Sequence, residues 1–197
     1  KNIPEGVSVN LSGAASELEQ TWIAMKNNVM IALFVIFLLL TVLMKSFVLP
    51  LVIMITVPVA GAGGVLGLVF LNQFSVQPLD MLTMLGFIIL AGIVVNNSIL
   101  MVEQTLWHIR YESMIISEAI TEATRNRIRP IFMSTLTSLF GLIPLVIFPG
   151  SGSELYRGIG TVVFGGLATS AILTLLMVPP LLSLALKTEK LKPVSEA

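Results

Sequence analysis

Long stretches without a charged residue are the feature that most constrains the fold of this chain. Five of them follow one another between residues 27 and 186, and they contain 18, 34, 22, 24 and 29 residues. A helix that crosses the hydrocarbon core of a bilayer needs about 20 apolar residues, each of which adds about 1.5 Å. The longest stretch is too long for one span and too short for two, and the polar residues Asn72, Gln73 and Ser75 end the helix within it. The sequence therefore predicts five spans, at about 27–45, 49–71, 79–103, 130–148 and 158–186.

The composition indicates an integral membrane protein. Apolar residues make up 55% of the chain and charged residues only 11%, whereas a typical soluble domain has about 25% charged residues. Runs such as 31–40 do not alternate between apolar and polar residues, which argues against the strands of a membrane β-barrel. The predicted fold is therefore all-α, a five-transmembrane-helix bundle.

Charge and residue counts exclude several classes of function. The formal net charge is zero, so a partnership with nucleic acid has no support. The chain has no cysteine and one histidine, which excludes disulfides, thiolate metal sites and a site built from several histidines. We expect no cofactor and no metal.

Three segments lie outside the predicted spans. Residues 1–26 combine an alternating stretch at 6–11, typical of a strand end from an extracytoplasmic domain, with an amphipathic lead-in helix from residue 14. Residues 104–129 are predicted to form an amphipathic helix on the cytoplasmic surface, with Ser117 as its N-cap. Residues 187–197 form a cytoplasmic tail. The chain starts at Lys1 without methionine or signal peptide, so we expect a piece of a longer protein.

The distribution of basic residues predicts the orientation in the membrane. Five spans place the two ends of the chain on opposite sides. The side that carries the 104–129 segment and the C-terminus has eight of the eleven Lys and Arg residues. Because the cytoplasmic loops of membrane proteins carry an excess of basic residues, the N-terminus is predicted to lie outside the cytoplasm and the C-terminus inside it.

Two adjacent amides in the third span are candidates for function. Asn96 and Asn97 lie about 9 Å from the cytoplasmic end of the span, where unsatisfied polar groups cost free energy. They point about 100° apart, so each addresses a different neighbour. Hydrogen-bonding between helices and a functional site are both compatible with these residues.

Arg127 and Ser134, at the entrance to the fourth span, are a second candidate pair. They are seven residues apart, which is two helical turns, and therefore share a face. The basic residues at 125–129 are equally compatible with a topology anchor on the cytoplasmic side.

Small residues predict where helices pack closely. Gly63 and Gly67 in the second span, and Gly165 and Thr169 in the fifth, have the four-residue spacing that lets helix backbones touch. Ser134, Ser138 and Gly141 share a face of the fourth span, and we expect close packing there as well.

An ordered series of motifs makes the chain resemble a known family. The motifs read GIVVNNSIL at 92–100, RIRPIFMST at 127–135, GLIPL at 141–145 and VPPL at 178–181. Together they are similar to the C-terminal membrane half of resistance-nodulation-division (RND) multidrug exporters, in the hydrophobe/amphiphile efflux branch. The likeness extends over nearly the whole chain.

The resemblance implies a proton-driven secondary active exporter, a drug/proton antiporter of the bacterial inner membrane. Such exporters have twelve spans, of which these five would be spans eight to twelve, and need no cofactor besides the proton gradient. The partners implied are the N-terminal half of the same transporter, two further copies in a homotrimer, a periplasmic adaptor and an outer-membrane channel, with membrane lipids around them.

The resemblance also implies a proton relay. Two aspartates of the N-terminal half would pair with Asn96, Asn97, Arg127 and Ser134 of this chain. Many members carry lysine where this chain has Asn96, and an amide cannot carry that positive charge.

Three alternatives remain open at this point. A non-exporting RND relative, such as a protein-secretion subunit or a sterol-sensing-like domain, predicts the same five helices. The loss of the lysine also fits an inert scaffold half. A membrane enzyme such as an intramembrane protease has little support, because the only Asp and Glu in the predicted spans, Asp80 and Glu103, lie at the two ends of the third span and His108 stands alone at the surface.

Overall fold

The computed structural model describes residues 14–148, 150 and 153–188 of the chain. The expected strand at 6–11 and the chain beyond residue 188 lie outside the described residues. The five helices are α1 (Ala14–Met44), α2 (Val48–Asn72), α3 (Met81–Tyr111), α4 (Ile116–Ile147) and α5 (Ser153–Thr188). Each contains a segment long and apolar enough to cross a membrane. Because these five helices account for all the regular structure of the described residues, the predicted all-α membrane bundle is confirmed.

Two compact units make up the chain, residues 1–35 and 36–197. The described part of the first unit is helical and belongs to α1. In the second unit α5 contacts α2, α3 and α4, and α3 also contacts α2 and α4. Helix α5 is therefore the element around which the second unit packs.

The core of the second unit has two clusters of buried apolar side chains. The first contains Leu40, Leu49, Met101 and Leu182, from four different helices. The second lies among α2, α3 and α5 and contains Leu68, Leu90, Val162 and Leu167, among others. Other large apolar side chains of these helices, such as Leu39, Leu51 and Phe70, are exposed, as expected for helices with a face toward lipid.

Glycines bring α2 and α5 together, as the small-residue spacing predicts. A Cβ atom built on Gly165 would lie 2.7 Å from the carbonyl oxygen of Gly63 and 2.8 Å from the Cα of Gly67. A Cβ on Gly67 would in turn lie 2.9 Å from the carbonyl oxygen of Thr161. The two backbones approach so closely that no side chain fits between them at these positions.

The linker at 104–129 differs from the expectation of a separate helix on the cytoplasmic surface. Residues 104–111 continue α3, and α4 begins at Ile116 and runs through Pro130 into the membrane segment. The part of α4 before Pro130 buries Ala119 and Ala123, and the part after it buries Ile131 and Thr135. Buried residues therefore lie on both sides of the proline, and the chain continues through it as one helix.

The predicted close packing of the stripe on the fourth span is not found among the described residues. Ser134, Ser138 and Gly141 are exposed in the structure. A Cβ atom on Gly141 would meet nothing within 4 Å. The described helices therefore leave this face of α4 uncovered.

Candidate functional site

The four residues singled out from the sequence lie around one cavity. It has a volume of about 220 Å³ and opens between α3 and α4. Its lining consists of Asn96, Asn97 and Leu100 from α3 and of Arg127, Pro130, Ile131 and Ser134 from α4. The structure thus brings Asn96, Asn97, Arg127 and Ser134 together, although 30 residues separate Asn97 from Arg127.

Helical spacing explains why these side chains meet. The short connection at 112–115 makes α3 and α4 neighbours that run in opposite directions. Asn97 lies seven residues before Gln104 on α3, and Ser134 lies seven residues after Arg127 on α4. Each pair spans two turns, about 10.5 Å along its axis. Contact between Gln104 and Arg127 near the connection therefore places Asn97 and Ser134 at the same height.

Arg127 is held in place by a side chain that the sequence analysis did not single out. Its Nε donates a hydrogen bond to Oε1 of Gln104, with a distance of 2.7 Å. The guanidinium is partly buried, and no described Asp or Glu forms an ion pair with it. The position of Gln104, two turns beyond Asn97 on the same face of α3, is the signal that could have identified it.

The two amides have different surroundings. Asn96 is exposed and Asn97 is partly buried. The residue after Asn97, Ser98, forms a hydrogen bond to a neighbouring helix, since its Oγ lies 3.1 Å from Oγ1 of Thr56 on α2. Ser98 is fully buried. Within the described part of the chain, Ser98 rather than Asn96 therefore links α3 to a neighbouring helix through its side chain.

Ser134 completes the wall of the cavity on α4. Its hydroxyl donates to the carbonyl oxygen of Ile131, with a distance of 3.1 Å. A serine hydroxyl bonded in this way still has lone pairs that can accept a hydrogen bond. The cavity thus combines one positive charge and two amides, which can donate to an ionised carboxylate, with one hydroxyl that can accept from a protonated carboxyl group.

Comparison with known proteins identifies the family. The model of the AcrB/AcrD/AcrF family matches residues 1–185. The chain is 37% identical to the multidrug resistance protein MdtC of Erwinia tasmaniensis over 177 residues, which is 90% of this chain and 17% of the relative. It is 36% identical to MdtC of Klebsiella pneumoniae over 200 residues, 98% of this chain and 19% of the relative. The chain belongs to the AcrB/AcrD/AcrF family.

Membership of the AcrB/AcrD/AcrF family confirms the resemblance to RND multidrug exporters that the motifs indicate. With its apolar helices, the chain is part of a multi-pass membrane protein. It spans less than a fifth of the length of the curated relatives it matches. Because those relatives are named as multidrug resistance proteins, the comparisons do not favour a non-exporting relative.

The histidine of this family member lies elsewhere than the sequence suggests. His108 is 6% exposed, near the end of α3, so the expectation of a surface position is wrong. Its Nδ1 lies 2.6 Å from Oε2 of Glu112. No group of three or more His, Cys, Asp or Glu residues among the described positions could hold a metal ion. His108 does not line the cavity between α3 and α4.

Proposed function

We propose that this chain is the membrane half of a proton-driven secondary active exporter, a drug/proton antiporter. The observation that carries the proposal is the cavity between α3 and α4, in which Asn96, Asn97, Arg127 and Ser134 lie together. These are the positions at which the family resemblance places the relay. An inert scaffold half would have no need for a cation held beside two amides in a cavity.

The cavity would act on carboxylates supplied by the N-terminal half of the transporter. It contains no acidic side chain of its own, so the groups that take up and release protons come from elsewhere. An ionised carboxylate about 4 Å from the Arg127 guanidinium gains about 4 kcal/mol at an effective dielectric constant of about 20. Protonation removes that attraction. The two protonation states therefore favour different positions of α4 against the neighbouring half, which is the requirement for coupling protons to a conformational change.

Each of the four residues has a distinct part in this proposal. Arg127 supplies the positive charge, and Gln104 fixes its direction through the bond to Nε. The side-chain amides of Asn96 and Asn97 can donate hydrogen bonds to a carboxylate, and Ser134, whose hydroxyl donates to Ile131, can accept one from a protonated carboxyl group. Because Asn96 replaces the lysine of many relatives, Arg127 is the one cation among the residues that line the cavity.

The proposal includes an orientation and an assembly. The protein lies in the bacterial inner membrane, with its N-terminus in the periplasm and its C-terminus in the cytoplasm. This orientation rests on eight of the eleven basic residues, which lie on the side of the membrane that carries the C-terminus. The five helices are spans eight to twelve. The complete protein works as a homotrimer with a periplasmic adaptor and an outer-membrane channel. The exposed stripe of Ser134, Ser138 and Gly141 is available for the N-terminal half.

Substitution of Arg127 in the complete transporter tests the proposal. We expect Arg127→Ala to abolish drug export by intact cells, while the amount of protein in the membrane and the trimer remain unchanged. Arg125→Ala is the matched control, because Arg125 is an exposed residue two positions earlier on the same helix. Normal export by Arg127→Ala would contradict the proposal, and equal losses in both variants would indicate a topology anchor instead.

Asn96 provides a second test of the same site. Asn96→Lys restores the residue of many relatives and should preserve export, whereas Asn96→Leu should reduce it by removing the amide donors. The measurement is drug export together with proton uptake by reconstituted vesicles. Export without proton exchange in the native protein would refute antiport but leave the family assignment intact.

A further inference from the structure

An apolar cleft at the other end of the bundle has no part in the proposed relay. It lies between α2, α4 and α5 near the start of α5, and its volume is about 650 Å³. Binding sites for small molecules have volumes of about 300–1,000 Å³. The walls are mostly aliphatic and aromatic, including Phe70, Phe74, Val146 and Phe164. The close approach of Gly67 to α5 described above forms part of its floor.

One guanidinium stands among these apolar walls. Arg157 lines the cleft and is partly buried. Its Nε donates to the carbonyl oxygen of Val146 at 2.9 Å, and one Nη donates to Oγ of Ser75 at 2.8 Å. Both acceptors are neutral, and no described carboxylate forms an ion pair with this side chain. A guanidinium has five N–H groups, so three remain for a ligand.

We propose that this cleft binds an anionic phospholipid, with an acyl chain between α2, α4 and α5 and the phosphate at Arg157. The cleft belongs to a membrane-spanning bundle, so hydrocarbon chains are the molecules that surround it. Arg157 lies near the first residues of a spanning helix, where basic side chains reach the headgroups. Charge complementarity selects a headgroup with net negative charge, and the fixed Nε and Nη bonds direct the remaining donors. The inference does not depend on proton coupling.

Lipid retained by the complete transporter tests this inference. The protein is purified in detergent, incubated with phosphatidylglycerol or phosphatidylcholine, and analysed by native mass spectrometry. We expect the native protein to retain phosphatidylglycerol in preference to phosphatidylcholine. Arg157→Gln removes one charge-assisted interaction and should lower phosphatidylglycerol retention about tenfold. It should also remove the preference for phosphatidylglycerol over phosphatidylcholine. Arg157→Lys keeps the charge and should recover most of it, and Arg125→Gln should leave retention unchanged.

Filling the cleft provides an independent variant. Ala168 lines the cleft and is partly buried, and Ala168→Phe should block entry of the acyl chain and reduce retention of both lipids. Ala62→Phe is the matched control, because Ala62 is exposed on α2 and does not line the cleft. Ala168→Leu, a smaller change, keeps the test available if the phenylalanine variant does not assemble.

Several outcomes would overturn the inference. Native protein that retains neither lipid would indicate that another part of the transporter covers the cleft. Equal retention by Ala168→Phe and the native protein would place the lipid elsewhere. An unchanged preference in Arg157→Gln would refute the role of the guanidinium. Arg127→Ala should retain lipid normally even if it loses export, because the inference does not depend on the proposed relay.

Discussion

The glycine contact between α2 and α5 allows a quantitative prediction. In Gly165→Ala the new methyl group would lie 2.7 Å from the carbonyl oxygen of Gly63 and 2.8 Å from the Cα of Gly67. Both are backbone atoms, so no side chain can rotate away and the helices must separate. Overpacking of this kind costs about 1–3 kcal/mol, and backbone contacts place it near 3. Alanine returns about 1 kcal/mol of helix propensity, so the net cost is about 2 kcal/mol.

Gly61→Ala is the matched control for this prediction. Gly61 lies on α2, and a Cβ atom there would meet nothing within 4 Å. The same substitution therefore keeps the gain of about 1 kcal/mol in propensity without a steric cost. The two variants should differ in stability by about 3 kcal/mol, with opposite signs relative to the native protein.

Hydrogen exchange measured by mass spectrometry on the complete protein in detergent reports this local effect. A loss of about 2 kcal/mol corresponds to about thirtyfold faster exchange of amides at 61–70 and 160–170, if these segments open together. Gly61→Ala should slow the same amides or leave them unchanged. Exchange in Gly165→Ala that is no faster than in Gly61→Ala would refute the close approach of the two helices.

Three further predictions follow from other contacts. Thr56→Val removes the hydroxyl that lies 3.1 Å from Oγ of Ser98 and should destabilise the pairing of α2 and α3 by about 1 kcal/mol. Thr56→Ser should have a smaller effect, and the same hydrogen-exchange experiment measures both. Asp80→Ala removes the N-cap of α3 and should lower the stability of that helix by about 1 kcal/mol, whereas Asp80→Asn should retain most of the stability. Hydrogen exchange at the start of α3 is the measurement. Cysteines introduced at the exposed positions Ser113 and Val76 should react with an impermeant reagent from opposite sides of the membrane, Ser113 from the cytoplasm; labelling of both from one side would refute the proposed orientation.

The sequence alone was sufficient for the features that depend only on the length of apolar stretches and on residue spacing along a helix. The uncharged stretches set the number of spans, because a bilayer imposes a minimum length of apolar helix on any chain that crosses it. The spacing of Gly63, Gly67 and Gly165 predicted where backbones touch. Seven-residue spacing placed Arg127 and Ser134 on one face. Each of these inferences needs only the rise and period of a helix.

The tertiary structure decided which faces meet and which stay open. Gln104 was found as the partner of Arg127, and Thr56 as the partner of Ser98, because hydrogen bonds between helices join residues 23 and 42 positions apart. Helix α4 continues through Pro130, with buried residues before and after it, although a proline is a local signal for a helix start. The stripe that includes Gly141 has small residues but no neighbour among the described helices. Periodicity shows that a face can pack closely, but the neighbour that covers it depends on the arrangement of all the helices.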